Sequence, residues 1–268
     1  MCIRDSSDCK PCHTPAEVEP LVKSDGMSTT KYPYREAVGS MMYLMLCTRP
    51  DIANAVGCVA KYCDSYDSTH WIAVKRILRY LKTTINHCLV FTGNEQSKLI
   101  CYADASWAND LDTRRSTTGY LFKLNGNLVS WKSQRQPTVA LSSTEAEYMS
   151  LAAANQEAIW LKRVVEELKI YAEEAVLIHQ DNRGAIALAK NPVFHQRTKH
   201  IDLRYHFLRE KVEDKEIEIC YTSTSEMQAD FLTKNLTRPL FEKHVKSIGL
   251  LLCHQGKVLK IDETVIEY

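Results

Sequence analysis

Glu147 is a charge at the head of a stripe built to be buried. The stripe runs Glu147, Leu151, Ala154, Ala158, Leu161, Val165, Leu168. Its alternating steps of four and three stack on one face of a helix. Desolvating a lone carboxylate is costly, so a cation or a metal is needed beside it. Three more acids share this tension. Asp104 closes the apolar run Leu99-Ile100-Cys101-Tyr102-Ala103, and Asp181 closes Val176-Leu177-Ile178-His179-Gln180. Asp230 lies among apolar neighbours in Ser225-Glu226-Met227-Gln228-Ala229-Asp230-Phe231-Leu232, which reads as a short capped helix. Four clustered carboxylates repel one another and are incomplete without divalent cations. Hard oxygen donors with room for water and phosphates suit magnesium, with manganese as a substitute. Two such ions about 4 Å apart clamp the attacking and leaving oxygens of an in-line phosphoryl displacement.

Plain structural roles compete for three of these acids. Asp181 can cap the helix that follows. Asp104 can be a strand-end turn residue, with Asp110 and Asp112 as rivals. Asp230 can pair with Lys234 four residues on. Glu145 needs no site, because Ser142 and Glu145 form a capping box that starts the helix. Arg114, Arg115, Lys132 and Arg135, with Arg197-Thr198-Lys199-His200, are placed to hold phosphates, or are solvated charges. Lys75, Arg76, Arg79 and Lys82 share a helix face, which reads as a solvated face before a phosphate track.

The elements that must position the acids can be read in order. Strands at 99–104, 118–124 and 128–132 form a meander around the turn Asn125-Gly126-Asn127. The long helix from Ser142 follows, then the Val176 strand, helices near Ala185 and Ile201, a charged strand Glu216–Tyr221, and the Ser225 helix. This is an α/β order with a mixed five-stranded sheet and flanking helices. If the first and fourth strands are adjacent and parallel, Asp104 and Asp181 meet at their carboxyl ends, where open α/β sheets bind ligands. Residues 32–95 read as a small helical segment: Arg35–Cys47, a run starting at Pro50, and a third capped by Asp67 or Ser68. Residues 1–31 read as a linker or non-native lead, and 237–268 as a helix and tail. Within that lead, Cys9-Lys10-Pro11-Cys12-His13 matches a haem-attachment string, but its polar setting favours a plain linker. The 268 residues are 45% hydrophobic and 25% charged, with 34 Lys+Arg against 33 Asp+Glu, so any basic surface is local. No run is long enough to span a membrane and no secretion signal is read, so the ten cysteines are expected to be reduced.

Several strings, in order, resemble the ribonuclease H domain of copia-type LTR retrotransposon Pol polyproteins. They are Tyr102-Ala103-Asp104, Asp112-Thr113-Arg114-Arg115-Ser116-Thr117-Thr118-Gly119-Tyr120, Ser130-Trp131-Lys132-Ser133 and Ser142-Ser143-Thr144-Glu145-Ala146-Glu147-Tyr148. Gln180-Asp181-Asn182, Lys199-His200-Ile201-Asp202 and Ala229-Asp230 complete the set. Upstream, Tyr34-Arg35-Glu36-Ala37-Val38-Gly39-Ser40 and Thr48-Arg49-Pro50-Asp51-Ile52-Ala53 resemble the end of the reverse transcriptase region. The resemblance spans residues 32–245. It implies a ribonuclease H-like fold over 97–236 and a reverse transcriptase C-terminal fragment over 32–95. Asp104, Glu147, Asp181 and Asp230 would be the ligands of two magnesium ions. The activity would be endonucleolytic cleavage of the RNA strand of RNA–DNA hybrids during reverse transcription. The implied partners are the hybrid and the rest of the Pol polyprotein, including its polymerase domain. The implied setting is cytoplasmic, in a virus-like particle, or nuclear, and neither membrane-bound nor secreted.

Three departures go with it. Tyr221-Thr222-Ser223-Thr224-Ser225 lacks the His that many ribonucleases H carry before the last Asp. Ser106 stands where the family often has Asp, and Asn235 where it often has Pro. No Asp-Asp pair occurs, so no polymerase active site is expected, and the helical segment should expose apolar faces that limit solubility. A catalytically inactive remnant that only binds nucleic acid, and a DNase of the same fold, are the rival readings.

Overall fold

The computed structural model describes residues 10–23, 31–93, 98–170, 175–190, 202–254 and 257–258. In chain order come α1 (Tyr34–Cys47), α2 (Ala53–Ala60), α3 (Ser68–Thr83) and β1 (His87–Leu89). Then follow β2 (Leu99–Ser106), β3 (Thr117–Leu124), β4 (Asn127–Arg135), α4 (Ser143–Glu167) and β5 (Val176–Gln180). The remainder is α5 (Arg183–Lys190), α6 (Asp202–Glu213), β6 (Ile217–Tyr221), α7 (Arg238–Ser247), β7 (Leu250–His254) and β8 (Lys257–Val258). The chain divides into two compact units, Thr92–Lys234 and a second that combines Met1–Phe91 with Asn235–Tyr268.

The unit Thr92–Lys234 is built on a five-stranded sheet of order β4-β3-β2-β5-β6. β2, β3 and β4 run antiparallel, while β5 lies parallel to β2 and β6 parallel to β5. This is the mixed α/β, ribonuclease H-like order that the resemblance implies. Alternation along the strands turns Leu99, Cys101, Ala103, Tyr120, Phe122, Val176, Ile178, Ile217 and Ile219 into one core. α4 closes it with Leu151, Ala154, Ala158 and Leu161. Each large aliphatic group buried this way contributes about 1.5–3 kcal/mol. The expected stripe on α4 is buried from Glu147 to Val165, but Leu168, at the helix end, is exposed.

The other unit packs α1, α2 and α3 through Tyr34, Val38, Met41, Val56, Val59, Trp71, Val74 and Ile77. Pro50 opens a 3-10 turn ahead of α2, and Asp67 with His70 forms the capping box of α3. Arg49 is buried against Asp51, 2.7 Å away, and Tyr80 donates to the same carboxylate at 2.6 Å. β1, β7 and β8 form a small antiparallel sheet. Residues 10–23, expected to be a free linker, are instead held along α3: Cys12 is buried, its N–H donates to Thr83, and Arg76 pairs with Glu17. Met42, Tyr43 and Leu46 leave an apolar stripe of α1 exposed, as the sequence led us to expect. No helix among the described residues is long and apolar enough to cross a membrane.

Candidate metal centre

Strand register brings the first two acids together. Tyr102 of β2 pairs with His179 of the parallel β5, and two residues further along each strand stand Asp104 and Asp181. Asp181 does not cap α5. Asn182 does, accepting from the Ala185 N–H at 3.0 Å, so the Asp181 carboxylate is left to the site. Gln180 shapes this turn by accepting from the N–H groups of Asp181 and Asn182 at 2.7 and 3.1 Å.

Glu147 arrives from the second turn of α4. Ser142 accepts from the Glu145 N–H at 3.1 Å, and Glu145 reaches back to the Leu141 N–H at 2.8 Å. That cap fixes where the helix begins and therefore where Glu147 points. Gln136 locks the helix to the sheet, donating to Thr118 at 3.0 Å and to the Ala146 carbonyl at 2.9 Å. Ser150 donates to the Asp104 carbonyl at 2.7 Å.

Asp230 does not lie on a capped helix. Thr224–Glu226 and Asp230–Leu232 are separate 3-10 turns, and the second crosses β3 at Gly119, the residue paired with Asp104. A Cβ at Gly119 would lie 2.5 Å from Thr233 Cγ2 and 2.9 Å from Leu232 Cβ. Only glycine admits this close approach. It lets Thr233 donate to Asp104 Oδ2 while Ser133 anchors the Leu232 carbonyl at 2.6 Å.

The carboxylate oxygens of Asp104, Glu147 and Asp181 lie within 4.8 Å of one another, two of the residues buried and the third half-buried. Octahedral oxygens about a magnesium ion stand roughly 3–4 Å apart, so a small inward closing of the three side chains would seat one. Asp230 joins this group through its charge on Asp104 and ion-pairs with Lys234 at 2.8 Å. The expected pairing of Asp230 with Lys234 is therefore present. Burial, then the charges of Asp104 and Asp181, push the Glu147 carboxyl up to about 10. Burial also raises Asp104, to about 7, against the opposing pull of Lys234 and with the added push of Asp230. Burial raises Asp230 too, with Lys234 opposing it. Negative charge is thus unfavourable here until a cation arrives.

The basic residues are less uniform. Arg114 and Lys132 are exposed, and Arg115 is half-buried. Arg135 is tied to Asp110 at 3.0 Å. Arg197, Lys199 and His200 lie outside the described residues. Gln180, Thr224, Thr233 and Lys234 surround the acids without having been singled out as part of a site. Thr224, in the loop that lacks a His, donates to Asp181 at 2.7 Å. Gly119, a glycine inside an apolar strand, was the one signal available in the sequence for the close crossing.

No family model matches the chain. It is 46% identical, over 231 residues, to the retrovirus-related Pol polyprotein from transposon TNT 1-94 of Nicotiana tabacum, covering 86% of this chain and 17% of that protein. The retrovirus-related Pol polyprotein from transposon RE2 of Arabidopsis thaliana is 41% identical over 246 residues, covering 90% of this chain and again 17% of the relative. A shorter relative, secreted RxLR effector protein 161 of Plasmopara viticola, is 57% identical over 129 residues, covering 48% of this chain and 91% of that protein. The chain thus spans about one sixth of the polyproteins it matches. With two plant transposon polyproteins aligned over nearly its whole length, this chain is similar to a segment of the retrovirus-related transposon Pol polyproteins.

Proposed function

We propose that the unit Thr92–Lys234 is a metal-dependent ribonuclease H that hydrolyses the RNA strand of RNA–DNA hybrids. The observation that carries this reading is the convergence of Asp104, Glu147 and Asp181, whose carboxylate oxygens lie within 4.8 Å, the first two buried and the third half-buried. Such a cluster costs folding free energy, and bound cations would offset that cost. The donor set fits magnesium: the candidate ligands are carboxylate oxygens, on β2, just past β5, on the capped helix α4 and on the 3-10 turn Asp230–Leu232. Asp104, Glu147 and Asp181 would hold one ion, and Asp104 with Asp230 a second. Bound there, the ions would supply Lewis-acid activation of water and neutralise charge on the leaving oxygen.

The chain's own residues do the rest. Thr233 fixes the Asp104 carboxylate, Thr224 that of Asp181, and Gln180 donates to Glu147 at 3.4 Å. Exposed Arg114 and Lys132, with Arg115 and Arg135, would take backbone phosphates. Choice of RNA rests on contacts to the 2′-hydroxyl across the minor groove. In its longer setting the domain would remove RNA copied by a polymerase elsewhere in the same polyprotein, within a cytoplasmic particle or in the nucleus.

The test is the purified 268-residue chain on an end-labelled RNA–DNA hybrid with magnesium or manganese, beside duplex DNA, duplex RNA and an EDTA control. The expected products are RNA fragments with 5′-phosphate and 3′-hydroxyl ends, from the hybrid alone, with none in EDTA. Cutting of duplex DNA would favour a DNase of the same fold. Binding of the hybrid without cutting under either metal would mean an inactive remnant.

A further inference from the structure

Two thiols of the small antiparallel sheet meet across its first pair of strands. β1 and β7 pair as His87 with Leu252, Cys88 with Leu251 and Leu89 with Leu250. Cys253 stands two residues beyond Leu251, so its side chain leaves the sheet on the same face as that of Cys88. The Asn86 carbonyl joins them: it accepts from the Cys253 N–H at 2.8 Å and from Cys88 Sγ at 3.9 Å. The two thiols are themselves in hydrogen-bond contact, and burial together with the Cys88 thiol holds that of Cys253 above its ordinary value. Both cysteines are free, Cys88 exposed and Cys253 half-buried. Other thiols are placed differently. Cys12 and Cys101 are buried, and Cys220 Sγ lies 3.1 Å from His179 Nδ1.

A diagonal pair on an antiparallel ladder stands roughly 7 Å apart. A disulfide spans up to about 6.8 Å between Cα atoms, so closure asks for a small shift. β1 is three residues long and Cys253 lies next to the last residue of β7, which gives the backbone that freedom. The strain left in such a bond makes it easily reduced. We propose that Cys88 and Cys253 form a reversible dithiol–disulfide couple that clamps β7 to β1, with a small-molecule disulfide of the glutathione class as oxidant. Cys88, exposed and acting as its thiolate, attacks one sulfur of the oxidant and expels the first glutathione thiolate. The Cys253 thiolate then attacks Cys88 Sγ and expels the second. Two protein thiols are oxidised, one small disulfide is reduced, and the two protons pass to the leaving thiolates. The residues between the two cysteines include the whole unit Thr92–Lys234, so the bond closes a covalent loop that contains it. The couple makes no use of the four acids and stands apart from the ribonuclease H reading.

The test equilibrates the full chain in glutathione buffers from fully reduced to fully oxidised, traps free thiols with N-ethylmaleimide and maps the tryptic peptides by mass. The expected result is a linked Cys88–Cys253 peptide that forms as the buffer is oxidised and is lost on return to the reduced buffer. Cys253→Ser should halt at a mixed disulfide with glutathione on Cys88, and Cys88→Ser should leave Cys253 unlinked. On the linked wild-type chain, hydrogen exchange at the Cys253 N–H should slow roughly tenfold, because β7 can no longer part from β1. A wild-type chain that stays unlinked at every ratio, or that holds glutathione on Cys88 without closing to Cys253, would overturn the proposal. So would a bond from Cys88 to another cysteine, and none of these results depends on a variant that folds. A linked chain with unchanged exchange at Cys253 would overturn the clamp.

Discussion

Replacing Glu147 by Gln should stabilise the metal-free protein while abolishing its response to magnesium. Glu147 is 7% exposed, and its carboxyl is pushed from 4.5 up to about 10 by burial and by the charges of Asp104 and Asp181. A value raised in the folded state means that the folded chain binds the proton more tightly. The resulting stability is complete below about pH 4.5 and is lost as pH rises towards 10. At pH 8 the penalty has a ceiling of about 5 kcal/mol, at about 1.4 kcal/mol for each pH step above the unfolded value. Asp104 titrates against the same charge and Gln still buries an amide, so a gain of roughly 2–3 kcal/mol is the realistic figure. The assay is urea unfolding in EDTA at pH 4 and pH 8, read from tryptophan fluorescence. Three of the four tryptophans, Trp107, Trp131 and Trp160, lie in the sheet unit. Glu147→Gln should match wild type at pH 4 and exceed it at pH 8. With magnesium the order should reverse, because only the wild type has the full ligand set and gains from the bound ion. A variant no more stable than wild type at pH 8 in EDTA would refute the electrostatic reasoning.

Other perturbations test the supports of the site. Gly119→Ala places a Cβ 2.5 Å from Thr233 Cγ2; it should cost about 1–3 kcal/mol in urea unfolding. By displacing Asp230 and Thr233, it should also lower hybrid cleavage roughly 100-fold. Thr224→Val removes the 2.7 Å bond to Asp181; a loss of about 1 kcal/mol, or roughly fivefold in kcat/KM, is expected with unchanged melting. Met42→Glu with Leu46→Lys covers the exposed stripe of α1 with charge; solubility in a concentration series should rise, with stability altered by no more than about 0.5 kcal/mol.

Much of this arrangement was legible because it rests on local periodicity. α4 could be read from its stripe and its Ser142 cap: the cap is present, and the stripe is buried as far as Val165. Two apolar runs that each end in an acid could be read as strands, and the register meets the condition that they be parallel neighbours. What was not legible depends on contacts distant in sequence. Asp181 and Asn182 are both good caps, and only the fold assigns that role to Asn182. The stretch after Ser225 has a helical look, but its backbone is bent into two turns by the crossing at Gly119. The packing of residues 10–23 onto α3 was hidden for a different reason. It relies on backbone donors and acceptors, such as the Cys12 N–H and the Leu21 carbonyl, which carry no compositional signal.

The most direct test of the central claim is a parallel series of Asp104→Asn, Glu147→Gln, Asp181→Asn and Asp230→Asn in the full chain. Each would be assayed for cleavage of the labelled hybrid and, separately, for hybrid affinity. Every variant should lose cleavage by at least about 100-fold, as expected when a group acting only in the transition state is removed. Hybrid affinity should stay within a few-fold of wild type or rise, since each change removes a negative charge facing phosphate. If any one of the four variants cut the RNA strand at the wild-type rate, that acid would not belong to the centre, and the site as described would be wrong.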